Sequence, residues 1–142
     1  MKGRRLLFLL LVLGLGSLVA PVSARADGRE FTVGDVRGSY GFSWIGTLGG
    51  TPASAEGLLV SDGEGNFTEA VRTLTVGGPL PLHQTATGTY TVNPNGTGSA
   101  TLNVNGEAAP EHFEFVIVDN GREAPFIGTD PGVVIRGVAV KQ

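Results

Sequence analysis

Beyond residue 27, no window keeps apolar residues at i, i+3, i+4 and i+7 for three helical turns without meeting a Gly or Pro. An amphipathic helix needs that spacing to present one continuous apolar face. Its absence argues against helical bundles and βαβ units alike and leaves strands and turns. What recurs instead is alternation. In 85–92, threonines 85, 87, 89 and 91 fall on one side of an extended chain, and Ala86, Gly88, Tyr90 and Val92 on the other. In 97–104, Thr97, Ser99, Thr101 and Asn103 oppose Gly98, Ala100, Leu102 and Val104. Successive side chains of a strand point to opposite faces. One wet face and one dry face mark an antiparallel sheet.

Further strand candidates are 39–48, 57–61, 67–76, 112–118, 124–128 and 133–140. Tyr40, Phe42 and Trp44 share one face; so do Phe113, Phe115 and Ile117. These aromatic rings are expected to supply much of the core. The run 133–140 is apolar on both sides apart from Arg136, so its inner face is not assigned. Turn signals separate the runs. Asn93-Pro94-Asn95-Gly96 suits a type I turn closed by a bulge, with Pro94 presetting φ and Gly96 taking the left-handed residue. Asp62-Gly63-Glu64-Gly65 is a second reversal; Asn105-Gly106, Asn120-Gly121 and Asp130-Pro131-Gly132 mark others. The stretches 57–65 and 88–98 echo each other, and two strands lie between their turns, which puts both turns at one end of the sheet. The expected fold is all-β: an antiparallel, up-and-down barrel of roughly eight strands. Closure removes the sheet edges that invite aggregation.

Residues 1–26 read as an export signal. Lys2, Arg4 and Arg5 precede the 15-residue uncharged stretch 6–20, and Ala24-Arg25-Ala26 follows Pro21. A basic start, an apolar middle and an A-x-A site make a signal peptide, with cleavage before Asp27. A spanning helix needs about 20 apolar residues, so stable membrane insertion after cleavage is not expected. The chain thus divides into a signal peptide (1–26), a lead-in (27–37) and a barrel domain (38–142), placed in the periplasm or outside the cell.

With the signal removed, six basic residues face 13 acidic ones, a net charge of −7. Nucleic acid is not an expected partner, because phosphate binding needs clustered Lys and Arg. The chain has no cysteine, which excludes disulfides, thiol catalysis and thiolate-bound metal.

Several segments carry a resemblance. They are Gly38-Ser39-Tyr40, Asp62-Gly63-Glu64-Gly65-Asn66-Phe67, Gly88-Thr89-Tyr90-Thr91-Val92-Asn93, Asn95-Gly96-Thr97-Gly98 and Asp130-Pro131-Gly132-Val133-Val134. Together they resemble a group of small exported bacterial proteins of unknown function. That group is similar to the barrel domain of allene oxide cyclase, a relative of the calycins. The resemblance covers most of 38–140 and implies a calycin-like barrel. Its motifs are turn signals, so no catalytic residue is carried across, and a shared fold does not imply a shared reaction.

Chemical motifs are sparse. Asp62-x-Glu64-x-Asn66 has calcium-loop oxygen spacing, but Phe67 and Thr73 stand where the loop needs Gly and Glu. In Glu111-His112-x-Glu114, alternation puts His112 and Glu114 on one face, turned to water if Phe113 and Phe115 face inward. His83 reads as a loop-edge residue, and neither histidine shows a third ligand. No metal or cofactor is expected. Arg37, Arg72 and Arg136 are the notable cations. Arg72 shares a face with Ala70 and Leu74, and Arg136 with Val134 and Val138. Such an arginine either snorkels at the rim or reaches inward to a carboxylate or an acidic ligand.

An eight-stranded barrel is just wide enough to be filled by side chains or to hold one small ligand. The first functional expectation is a non-catalytic exported barrel binding a small apolar molecule, with Tyr40, Phe42, Trp44, Arg72, Tyr90, Phe113 and Phe115 facing the interior. Ala86, Gly88, Gly98 and Ala100 would leave room inside, whereas the aromatic rings would fill it. The alternatives are an isomerase or cyclase acting on an unsaturated lipid-like substrate, and an envelope interaction module using the threonine-rich outer faces. Oligomeric state is left open.

Overall fold

The computed structural model describes residues 28–142; the expected signal peptide, 1–26, lies outside them. Eight strands follow in chain order: β1 (Gly38–Leu48), β2 (Thr51–Ser61), β3 (Asn66–Val76), β4 (Leu82–Val92), β5 (Thr97–Val104), β6 (Glu111–Val116), β7 (Glu123–Gly128) and β8 (Val133–Lys141). Each pairs antiparallel with the next, and β8 returns to β1 from Tyr40↔Lys141 to Leu48↔Val133. The sheet closes into the up-and-down barrel that the alternation predicts.

Strand limits differ from the expected ones where local signals mislead. β2 begins at Thr51 rather than 57, straight out of the Gly49-Gly50 turn, and passes through Pro52. Pro52 has no N–H to offer, but its carbonyl accepts from the Gly77 amide. β4 begins at Leu82 rather than 85. β6 stops at Val116, short of 118, because the Ile117 amide turns to the Gly96 carbonyl and the chain enters a 3-10 turn at Asp119–Gly121.

Burial alternates along the strands, and β8 turns Ile135 and Ala139 to the core. Arg136 therefore points outward with Val134. One core cluster centres on Tyr40, Phe67, Tyr90 and Phe115, the other on Trp44, Leu74, Phe113 and Ile135. Phe67 and Tyr90 lie 4.8 Å apart, and Phe113 meets Phe126 edge-on at 5.7 Å. Such pairs add about 0.5–1.5 kcal/mol beyond area burial. At Gly98 the small inward residue leaves no void. A Cβ at Gly98 would sit 2.3 Å from Cζ of Phe115, so the ring fills the space that the glycine vacates. Large and small residues interlock across the barrel, as native packing density demands.

The turns at 62–65 and 93–96 lie at the same end, as their echo predicts. Gly96 there has φ +89°, the left-handed residue of its turn. The lead-in seals this end. A 3-10 helix, Val33–Val36, is capped by Thr32 and Asp35 and buries Val36. The Phe31 amide donates to the Pro94 carbonyl. Arg29 pairs with Asp35. Two hydroxyls anchor this end: Tyr40 donates to the Gly121 carbonyl in the 119–121 turn at 2.7 Å, and Tyr90 donates to the Val33 carbonyl of the lead-in at 3.0 Å while accepting from Ser61 at 2.8 Å. The opposite end carries the loops 49–50, 77–81, 105–110 and 129–132, and forms the mouth.

Candidate functional site: an apolar cavity under an ion cluster

Between seal and mouth the barrel encloses a cavity of about 80 Å³. Tyr40, Phe42, Trp44, Arg72, Phe113 and Phe115, six of the seven residues expected to face a ligand, line it. Tyr90 also faces inward but lies outside the lining, its ring on Phe67 and its hydroxyl tied to the lid. A dry apolar cavity of about 150 Å³ accepts benzene. The space here is roughly half that, enough for a few heavy atoms. Aromatic filling has largely prevailed over the room left by small residues, but not completely.

At the mouth, Arg72 projects inward from β3, with only 8% of its side chain exposed. Its Nε donates to Oε1 of Gln84 on β4 at 2.9 Å. Its Nη1 and Nη2 donate to the two oxygens of Glu111 on β6 at 2.7 and 2.8 Å, a bidentate fork. Nη2 also donates to Glu107, in the 105–110 loop, at 3.1 Å. Gln84 completes the ring by donating its Nε2 to the same Glu107 oxygen at 3.2 Å. Of the two arrangements open to Arg72, the barrel builds the inward one, paired with a carboxylate. A planar guanidinium suits this task because its fixed fork matches carboxylate geometry. One cation here serves two carboxylates. Burial, and then the neighbouring charge of Glu111, hold the Glu107 carboxyl above its ordinary range, although Gln84 and Arg72 pull the other way. Glu107 is thus the least comfortable member of the cluster.

On the outer wall, a broader and more open depression is lined by Ser43, Ile45, Glu114, Val116, Ile127 and Arg136. His112 and Glu114 face water, as alternation predicts, but His112 pairs with Asp130 rather than with Glu114. Its Nδ1 lies 2.7 Å from Asp130 Oδ1, and its amide donates to Oδ2 at 2.8 Å. That amide, and then the ring, hold the Asp130 carboxyl below its ordinary range. His83 is exposed and bonded to Thr73. The Asp62 carboxylate accepts from the amides of Glu64 and Asn66 and from the Asn66 side chain, so it is committed to its turn. Among the described residues, no group of three or more His, Asp or Glu is placed to hold a metal ion. Arg136 points outward and Arg37 is exposed beside the seal.

Two members of the mouth cluster, Glu111 and Gln84, carry a parity signal in the sequence. The alternation that turns His112 and Glu114 outward places Glu111 inward with Phe113 and Phe115. The same parity places Gln84 with Ala86. Glu107 carries no such signal, because it lies in a loop.

No family model matches this chain, and no curated protein matches it. Among solved structures, the chain is similar to EF1p2_mFAP2b bound to DFHBI, with 12% identity and a TM-score of 0.45, over 76% of this chain and 94% of that one. No helix among the described residues is long and apolar enough to cross a membrane.

Proposed function

We propose that the protein is an exported, non-catalytic barrel that takes a small apolar molecule into its interior. The observation that carries this reading is the apolar cavity of about 80 Å³ lying directly under a polar mouth cluster. Apolar surface moved from water into such a space gains about 25 cal/mol per Å². The volume limits a ligand bound in the closed barrel to a few heavy atoms; anything larger requires the mouth to open. The signal-like residues 1–26 support export, and the turn motifs support kinship with the small calycin-like exported proteins.

The isomerase reading has less to stand on. Among the described residues, no carboxylate or imidazole lines the cavity. The Tyr40 hydroxyl is committed to a carbonyl, and burial raises its pKa further from use. The Arg72 fork is taken up by Glu111. Native mass spectrometry of protein recovered from an exporting host tests the proposal, paired with fluorescence of Trp44, the single tryptophan, under xenon pressure. An adduct, or a saturable Trp44 response, is the expected result. A bare mass together with a silent Trp44 would remove the ligand-binding reading.

A further inference from the structure

The outer wall is not uniform. Around β3–β5 it carries Thr85, Thr87, Thr89, Thr91, Ser99 and Asn103, all exposed. Around β7, β8 and β1 it carries Ile127, Val134 and Ile45, exposed by 51, 71 and 66%. Single exposed aliphatic residues are ordinary. These cluster on neighbouring strands around Arg136. The register places Glu114, Ile127, Arg136 and Ile45 in one row across β6, β7, β8 and β1. Val134 and Val138 flank Arg136 along β8, and Pro125 pairs with Val138. Adjacent strands lie about 4.8 Å apart. The Arg136 and Glu114 backbones are therefore roughly 10 Å apart with Ile127 between them, and the two side chains do not pair within one copy. Among the described residues, neither makes an ion pair or a side-chain hydrogen bond.

We infer that this face docks a second copy of the same chain in a two-fold dimer. Opposite charges stand at equal spacing on either side of a central apolar residue, and that is the pattern of an isologous contact. A two-fold axis lying in the contact plane along β7, at Ile127, exchanges the two sides. Arg136 of each copy then meets Glu114 of the other, twice over. Ile127 meets its own counterpart, and Val138 comes opposite Val116, which is also exposed. The contact is expected to be weak, with a dissociation constant on the order of 10–100 µM.

Sedimentation equilibrium of the exported chain tests the inference, with circular dichroism confirming that each variant keeps its fold. Arg136→Glu and Glu114→Arg each create two like-charge contacts, and each is expected to raise the dissociation constant at least about 10-fold. An equimolar mixture of the two variants should dimerise again, because every reversed charge then finds its complement; so should the double variant. A wild-type chain that stays monomeric to about 1 mM would overturn the inference. So would a dimer that both single variants leave intact, or a mixture in which association is not restored.

Discussion

At one end of the barrel the chain covers itself with its own lead-in; at the other it relies on four polar side chains. The seal rests mainly on neutral contacts, Val36 packed on the core, backbone pairing from Phe31 to Pro94 and two tyrosine hydroxyls on carbonyls, with one ion pair, Arg29 to Asp35, at its outer side. The mouth is made of Arg72, Gln84, Glu107 and Glu111. Neutral contacts are distributed and insensitive to acid and salt. A charged cluster concentrates its stabilisation in one guanidinium and answers to protonation. The difference makes the mouth the end expected to answer to acid and salt.

The largest effect is expected at the seal. Gly121 has φ +87°, and a Cβ there would stand 2.3 Å from the Asp35 carbonyl oxygen. Gly121→Ala should cost about 3 kcal/mol or more in urea unfolding, since it combines strained backbone with a backbone clash. A smaller loss than at the mouth would reverse the ranking of the two ends.

Arg72→Met comes next. It leaves Glu107 and Glu111 facing each other without a cation. Breaking a fully buried pair costs about 3–5 kcal/mol. These carboxylates are partly wet, so about 2–3 kcal/mol is expected after that discount. Amide exchange should quicken across 105–111 and stay unchanged across 31–37. Equal quickening at both ends would mean that seal and mouth open as one unit.

Tyr40→Phe should cost about 1–2 kcal/mol, because it leaves the buried Gly121 carbonyl without its donor. That loss should be the same at pH 5 and pH 8, which a pair of unfolding curves would show.

The smallest effects are those of pH, and they run in opposite senses. Glu107 is raised in the folded state, so its ionisation opposes folding. The wild type should gain stability relative to Glu107→Gln as pH falls through the raised range, and lose it as pH rises again. Asp130 is lowered, so its contribution is present above the ordinary aspartate range and is lost as pH falls through its lowered pKa. Asp130→Asn should remove that acid-side loss. Each change should be under about 1 kcal/mol, because both carboxylates meet water. Thermal unfolding from pH 3 to 8 separates the two signs; a shared sign would contradict the geometry at one of the two sites.

Much of the frame was legible residue by residue. The threonines of 85–91 and the small residues between them fixed the faces of β4, and Asn93-Pro94-Asn95-Gly96 fixed its reversal. Period two is a local property, so it survives without knowledge of the partner strand. Pro52 and the sparse apolar pattern before residue 57 hid half of β2, because pairing with β1 and β3 overrides a weak local preference. The lead-in showed no role, since a lid is defined by what it covers. Arg72 showed an inward option but not its partner: Glu111 is distant in sequence, and Glu107 arrives from a loop.

The order of glycines, turns and alternating side chains determined by itself that this chain forms antiparallel strands and which side chains of a strand share a face, because those are consequences of local backbone geometry. Only the closed tertiary structure decided that Phe115 would occupy the space above Gly98, that a cavity of about 80 Å³ would remain, and that one arginine would join two glutamates across three strands. Those outcomes depend on distances between residues far apart in the chain, and the distances exist only once the barrel has closed.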